Sequence, residues 1–280
     1  MAASLGSSSA AYAAELMWRM AAVTGRYAEA ERCAEQHQAI ARAFNAAFVR
    51  PDGVVGNGSQ TSHVLALKFG LVPDELRKAT ASHLASEIAT RGMKLSTGFL
   101  GTPYLLDVLC GHGQTDTAIA LLPQTDYPSW GYMIRKGATS IWERWNGDVG
   151  DVAMNSYNHY ALGAVVGFLF RRLAGIAPAE PGFRRIAVNP IFDPRIGRVE
   201  AEYDSCHGRI ATVVAGDECG LSRLAVTIPA NTTAEVHLPS GRKWREDGRP
   251  LEPRQDICAR HGRSGETVME FGSGDYLFEP

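Results

Sequence analysis

The chain has 280 residues, room for roughly two domains at about 100–200 residues each. Hydrophobic residues make up 45% and charged residues 21%, the mix of a folded chain and too apolar for disorder. The 28 basic and 30 acidic residues leave a net charge of −2, without the basic bias that marks many nucleic-acid binders. No apolar run reaches the ~18 residues of a membrane span; the longest, 161–170, stops at Arg171-Arg172. Neither a nucleic acid nor a membrane is an expected partner.

Five cysteines (Cys33, Cys110, Cys206, Cys219, Cys258) lie far apart, with no C-x-x-C pair to suggest a zinc ribbon or a thioredoxin-type site. Scattered thiols in a chain of this length favour a reducing compartment. The first residues carry no basic stretch followed by an apolar one, so the expected location is cytoplasmic.

Helical periodicity dominates up to residue 175. A first helix, rich in Ala, Leu and Met, is expected over about 12–23 and ends at Thr24-Gly25. The residues before it are Ala/Ser-rich, and frayed ends are common in such sequence. Tyr27, Ala30, Ala34, His37, Ala41, Phe44 and Phe48 follow at alternating three- and four-residue steps, one stripe of a long amphipathic helix. A third helix is expected over 61–69, closed by Gly70. Pro73 opens a fourth, with Asp74 and Glu75 in its first turn, where acids suit the helix dipole. Thr102-Pro103 starts a fifth that runs to Gly111, and a shorter sixth covers 115–122. Asn155 or Ser156 is expected to cap the seventh, which ends in Arg171-Arg172 and Gly175.

After 178–182 the period changes from helical to two. Short β-rich runs at 209–214, 224–228, 234–238, 268–271 and 276–278, punctuated by Pro, Gly, Asn and Asp, suggest an antiparallel sandwich. The expected organisation is mainly α plus β: a helical domain over 1–177 and a β-sandwich domain over 178–280.

Several kinds of chemistry lack a signal. Gly56-Asn57-Gly58 and Gly111-His112-Gly113 miss the third glycine of a dinucleotide loop, and no P-loop, H-E-x-x-H or G-x-S-x-G occurs. The eight histidines show no metal-ligand spacing. Neither a metal nor an organic cofactor is expected.

The segment YPSWGYMIRKGATSIWERW (127–145) stands out. Three of the five tryptophans, Trp130, Trp142 and Trp145, fall within sixteen residues, and Glu143 lies between two of them. Flat indole faces suit pyranose rings, and a carboxylate among indoles is partly desolvated, so its pKa can drift towards the working pH of an acid or base. That is the profile of a glycosidase carboxylate. The same residues also read as core anchors, with Glu143 paired to Arg144 or Arg135; Asp148 and Asp151 are further carboxylates of the stretch.

A second cluster, 155–160 (NSYNHY), sits at a helix start, where free amides favour hydroxyl-rich or anionic ligands. It reads equally as caps, packing tyrosines and a satisfied histidine. The loop 97–104, with two glycines around Phe99-Leu100, can bring backbone near a ligand or serve only as a helix entry.

Taken together, SQTSHVLALKFGLVP (59–73), STGFLGTPYLLDVL (96–109), YPSWGYMIRKGATSIWERWNG (127–147) and MNSYNHYALGAVVGFLFRRLAGI (154–176) resemble the bacterial α-L-rhamnosidases of glycoside hydrolase family 78. They stand in the family's order, and the tail after 180 resembles its C-terminal β-sandwich. The resemblance implies an (α/α)6 toroid and inverting hydrolysis that frees L-rhamnose from the non-reducing end of a glycoside. Glu143 falls on the family's general base and His159 on a substrate-contacting histidine. Trp130 and Trp142 lie in stretches that help build the sugar pocket.

One departure matters. The family's general acid sits in an Asp-rich motif with Trp and Arg, and nothing before residue 59 matches it: Glu15, Glu29, Glu31 and Glu35 lie in plain amphipathic helices. Inversion needs two carboxylates about 6.5–9.5 Å apart. A closed six-hairpin toroid needs twelve helices, and seven are legible. The expectation is therefore the C-terminal portion of a catalytic barrel, completed by self-association or by an N-terminal segment, since half a toroid exposes apolar helix faces. The alternative is a non-catalytic sugar-binding or assembly protein that kept the pocket and lost the acid. Another six-hairpin enzyme, such as an epimerase, is a third option.

Overall fold

The computed structural model describes residues 2–150, 155–251, 259–261 and 266–280. Helices fill the first of two units, Met1–Ala164, and strands most of the second, Val165–Pro280.

In the first unit α1 (Ala2–Val23) pairs with α2 (Tyr27–Phe48) across a turn at Gly25, whose φ of 75° suits a residue without a Cβ. Small side chains let α1 pack closely: Ser4, Ser8, Ala11, Ala14 and Ala21 are buried. α3 (Gln60–Lys68) is capped by Ser59, whose hydroxyl accepts the Ser62 N–H, and is buried almost all round. Thr80, Ala81, Leu84 and Ile88 are the buried residues of its partner α4 (Asp74–Thr90). α5 (Thr102–Gly111) and α6 (Thr115–Leu121) form a third pair. Between these elements, Tyr12 of α1 stacks on Phe69 at 4.5 Å, and Phe69 meets Tyr104 of α5 edge-on at 5.5 Å.

Three expectations need correction. α1 begins at Ala2 rather than near residue 12, because the Ala/Ser-rich sequence supplies the small packing surface. An additional short helix, α7 (Trp130–Arg135), is capped by Ser129 through the Tyr132 N–H at 3.0 Å. The last helix starts later and is broken. His159 caps α8 (Tyr160–Gly163), since residues 156–158 are held in a non-helical course by the segment before Glu143. In the second unit α9 (Val165–Phe168) and a π turn over Leu169–Leu173 follow, in place of one continuous helix.

Among the described residues the second unit contains two sheets. One is ordered β1 (Ile176–Pro178), β2 (Arg185–Val188), β6 (Thr233–Pro239), β10 (Glu266–Phe271), β9 (Ala259–His261). The other runs β3 (Val199–Ser205), β4 (Gly208–Asp217), β5 (Gly220–Ile228), β11 (Gly274–Glu279), β7 (Arg245–Glu246), β8 (Arg249–Pro250). Among the described residues all strand pairings are antiparallel except β2 with β6. The period of two sends Ile210 and Val214, Leu224 and Val226, Val236 and Leu238, and Phe271 and Phe278 into one core. Thr212, buried in that core, donates to the Ala174 carbonyl at 2.8 Å, so its hydroxyl is satisfied. The strands expected at 209–214, 224–228, 234–238, 268–271 and 276–278 lie within β4, β5, β6, β10 and β11. Within the second unit the Ile191 N–H donates to the Arg172 carbonyl at 2.6 Å.

Candidate active site

A relay of buried hydrogen bonds holds the loops around Glu143. Gln60, at the start of α3, donates to the Lys94 carbonyl at 3.0 Å and accepts the Ser96 N–H at 2.8 Å, fixing the chain that leads to Thr97. The Thr97 carbonyl accepts the Trp145 indole N–H at 2.7 Å. Trp145 meets Trp130 edge-to-face at 5.3 Å, and the Trp130 indole N–H donates to the Leu162 carbonyl at 2.9 Å. Both indoles thus act as clamps between loops far apart in sequence. Trp130 and Trp142 are each only 6% exposed.

Glu143 is placed by a short backbone pairing between residues 141–143 and 156–159. His159 N–H donates to the Ile141 carbonyl at 2.9 Å and Glu143 N–H to the Ser156 carbonyl at 2.8 Å. The Ser156 N–H then returns to Glu143 Oε2 at 3.0 Å. Oε1 has no hydrogen-bond or ion partner among the described residues. Glu143 is half-buried, so one oxygen is fixed and the other is left to bind water or substrate. Arg135, offered by sequence as a partner for Glu143, pairs with Asp126 at 3.3 Å instead.

His159 lies on the same pairing. Its Nδ1 accepts the Ala161 N–H at 3.2 Å as the cap of α8, which puts the proton of the neutral ring on Nε2 and makes that atom a donor. Tyr160, 81% exposed, lies nearly parallel to the imidazole at 4.9 Å.

Asp148 has a different job. The Tyr132 hydroxyl reaches both its oxygens, at 3.1 and 2.9 Å, and the Lys136 ammonium lies 3.2 Å from Oδ2. Desolvation pushes this carboxyl up, but the Tyr132 hydroxyl and Lys136 outweigh it and hold the acid below its ordinary value. An ionised, doubly engaged carboxylate is poorly suited to donate a proton, and its place is as an anchor of the turn after Glu143. Asp151 lies outside the described residues.

That turn is tight. Gly147 is wedged so closely that a Cβ would fall 2.5 Å from Asn155 Nδ2 and 2.9 Å from Trp142 Cε3. Its carbonyl accepts from Asn155 Nδ2 at 3.1 Å and from the Tyr157 hydroxyl at 3.0 Å. The loop at 97–104 is braced by a Thr97–Thr102 hydroxyl contact at 2.8 Å and leaves Phe99 and Leu100 exposed. Sequence reasoning singled out Glu143, His159 and the tryptophans as candidates but gave no hint of Ser156 and Gly147 as the groups that hold them. The one local signal was the glycine in a turn, since a backbone N–H leaves no mark on side-chain identity.

Comparison with known proteins accounts for both units. Residues 7–173 match the model of the bacterial α-L-rhamnosidase six-hairpin glycosidase domain, and residues 175–249 that of the bacterial α-L-rhamnosidase C-terminal domain. An α-L-rhamnosidase of Streptomyces avermitilis is 39% identical over 273 residues, and one of Formosa agariphila is 36% identical over 242. These alignments take in 96% and 84% of this chain, but 26% of each relative. The crystal structure of the Streptomyces avermitilis α-L-rhamnosidase complexed with L-rhamnose superposes with a TM-score of 0.86 at 38% identity, covering 96% of this chain and 26% of that one. That of the Aspergillus terreus enzyme does so with 0.81 at 29% identity, covering 95% and 29%. The chain therefore spans about a quarter of the length of the curated relatives it matches. By its helical unit, its C-terminal domain and these relatives, the chain belongs to the bacterial α-L-rhamnosidase family.

Proposed function

We propose that the cluster of Glu143 and His159 is the water-activating half of a glycosidase site that takes terminal α-L-rhamnosides. The observation that carries this reading is the Glu143 carboxylate: Oε2 is fixed by the Ser156 N–H, and Oε1 lacks a partner among the described residues. A general base needs that arrangement, one oxygen oriented by the protein and one available to take a proton from water. The Nε2–H of His159 is a donor for a sugar hydroxyl. Trp142, beside Glu143 and against Gly147, shapes the wall of the pocket, and Trp130 supports it from behind by holding Leu162. The relatives' names, and the L-rhamnose in one of their structures, support L-rhamnose as the sugar.

Water attacks the anomeric carbon from the side opposite the leaving oxygen, Glu143 takes its proton, and the anomeric configuration inverts. The leaving oxygen needs a proton from a second carboxylate about 6.5–9.5 Å away. With Asp148 engaged by Tyr132 and Lys136, we assign that acid to polypeptide outside the described residues, a second copy of this chain or another segment. The exposed Met17, Trp18, Met20 and Val23 of α1 offer an apolar surface for such a partner.

The test is hydrolysis of an aryl α-L-rhamnoside with an activated leaving group, which needs little protonation, by the chain and by its Glu143→Gln variant. Turnover that falls about 10²–10⁴-fold in the variant is the expected result. Equal turnover by both would overturn the reading. Rhamnose binding by both without turnover by either would favour a sugar-binding protein instead.

A further inference from the structure

We propose that Tyr157 is a positioning residue for Glu143, an inference that rests on the role given to Glu143 above. Three separate groups of Tyr157 engage the segment that carries Glu143, on both sides of it. Its backbone carbonyl accepts the Ser140 hydroxyl, three residues before Glu143. Its ring meets the indole of Trp142, the residue immediately before, edge-to-face at 6.0 Å. Its hydroxyl donates to the Gly147 carbonyl, four residues after, at 3.0 Å.

Tyr157 also follows Ser156, whose N–H holds Glu143 Oε2. Any slip of residues 156–157 along residues 140–147 therefore moves the fixed oxygen of the carboxylate. The Asn155 amide donates to the same Gly147 carbonyl, so this carbonyl ties both flanks of Ser156 to the turn after Glu143. Glycine at 147 is what permits the approach, since a Cβ there would collide with Asn155 and Trp142. Tyr157 is 42% exposed, so burial alone does not account for a tyrosine here. The phenol acts through geometry: it neither takes nor gives a proton in the reaction, and it keeps the carboxylate where water can meet it.

Removing one such hydrogen bond while keeping the ring should lower kcat, because a small misplacement of a catalytic group is expensive in rate. The measurement is kcat and KM for an activated aryl α-L-rhamnoside with the parent, Tyr157→Phe, Tyr157→Ala and Glu143→Gln, together with the thermal midpoint of each. The expected result is a kcat about 3- to 10-fold lower in Tyr157→Phe, from the loss of one hydrogen bond, and at least about 10-fold lower in Tyr157→Ala. KM stays within about twofold and the midpoint of the Phe variant is unchanged, a split that a loss of fold would not give. If Glu143→Gln abolishes turnover while Tyr157→Phe and Tyr157→Ala match the parent, the positioning role is wrong and the assignment of Glu143 stands. If Glu143→Gln matches the parent, the assignment of Glu143 falls and the role of Tyr157 with it.

Discussion

The loop cluster around Glu143 and the β unit hold themselves together by different means. In the loop cluster, residues far apart in sequence meet through hydrogen bonds to backbone carbonyls, Gln60 to Lys94, Trp145 to Thr97, Trp130 to Leu162 and the Glu143 N–H to Ser156, and the Ser156 N–H returns to the Glu143 carboxylate. Each of these links is directional, and loss of either indole donor leaves a buried carbonyl unsatisfied. In the β unit, non-directional burial dominates: alternating Ile, Val, Leu and Phe from two sheets share one core. Its charged residues form pairs at the surface, such as Arg223 with Glu279 at 2.7 Å, with both side chains about half exposed. Burial tolerates small shifts, whereas directional bonds fix atoms to within fractions of an ångström. The segment that holds the Glu143 oxygen uses the second device.

That contrast can be tested by removing one element of each kind. Phe278, fully buried against Phe271 and Tyr276, is a pure packing group. Phe278→Ala should cost about 3–5 kcal/mol in the urea unfolding of the strand signal, the largest single effect expected. A loss below about 1 kcal/mol would mean that this core repacks freely. Trp145→Phe keeps a large ring but removes the donor to the Thr97 carbonyl, and should cost about 1–3 kcal/mol by the same measurement. Unlike Phe278→Ala, it should also weaken rhamnose binding, because residues 143–147 lose their tie to residue 97. Unchanged binding would show that the indole N–H is dispensable to the site.

A third effect is read through pH. His63, 1% exposed, donates from Nδ1 to the Ser59 carbonyl at 2.9 Å and accepts the Val55 N–H on Nε2 at 3.4 Å, so it is built to be neutral. Its pKa is lowered, chiefly by burial and also by the neighbouring His83, against opposing contributions from Ser59 and Glu87. An unfolded histidine titrates near about 6.5. Below that pH the unfolded chain takes up a proton that the folded chain resists, so stability falls as pH falls. The loss levels off once pH passes the lowered folded value. Above about 6.5 this group should contribute no pH dependence. Urea midpoints from pH 7.5 down to 5 should decline less in His63→Gln than in the parent; parallel declines would remove His63 from the account.

Much of this molecule was legible in its sequence, for identifiable reasons. The stripe from Ala30 to Phe44 and the alternation in β4, β5 and β6 are patterns of burial, and burial is written in side-chain type. Glu143 stood out because charged and indole side chains rarely alternate by chance. The late start of α8 was not legible: Asn155 and Ser156 are both good caps, and only the backbone pairing with residues 141–143 takes them out of contention. The hold on Glu143 was hidden for the same reason, because the Ser156 group that matters is its N–H. Asp148 looked like a free turn residue until Tyr132 and Lys136 were found on it, sixteen and twelve residues back along the chain.

Glu143, with one oxygen held and the other without a partner among the described residues, is proposed to activate water for a single inverting displacement. The most direct measurement is the anomer first released from an activated aryl α-L-rhamnoside, followed by proton NMR before mutarotation equilibrates the sugar. The account predicts β-L-rhamnose first, with the α anomer growing in later. Release of the α anomer first would mean two displacements and a covalent intermediate, and would contradict the role given to Glu143.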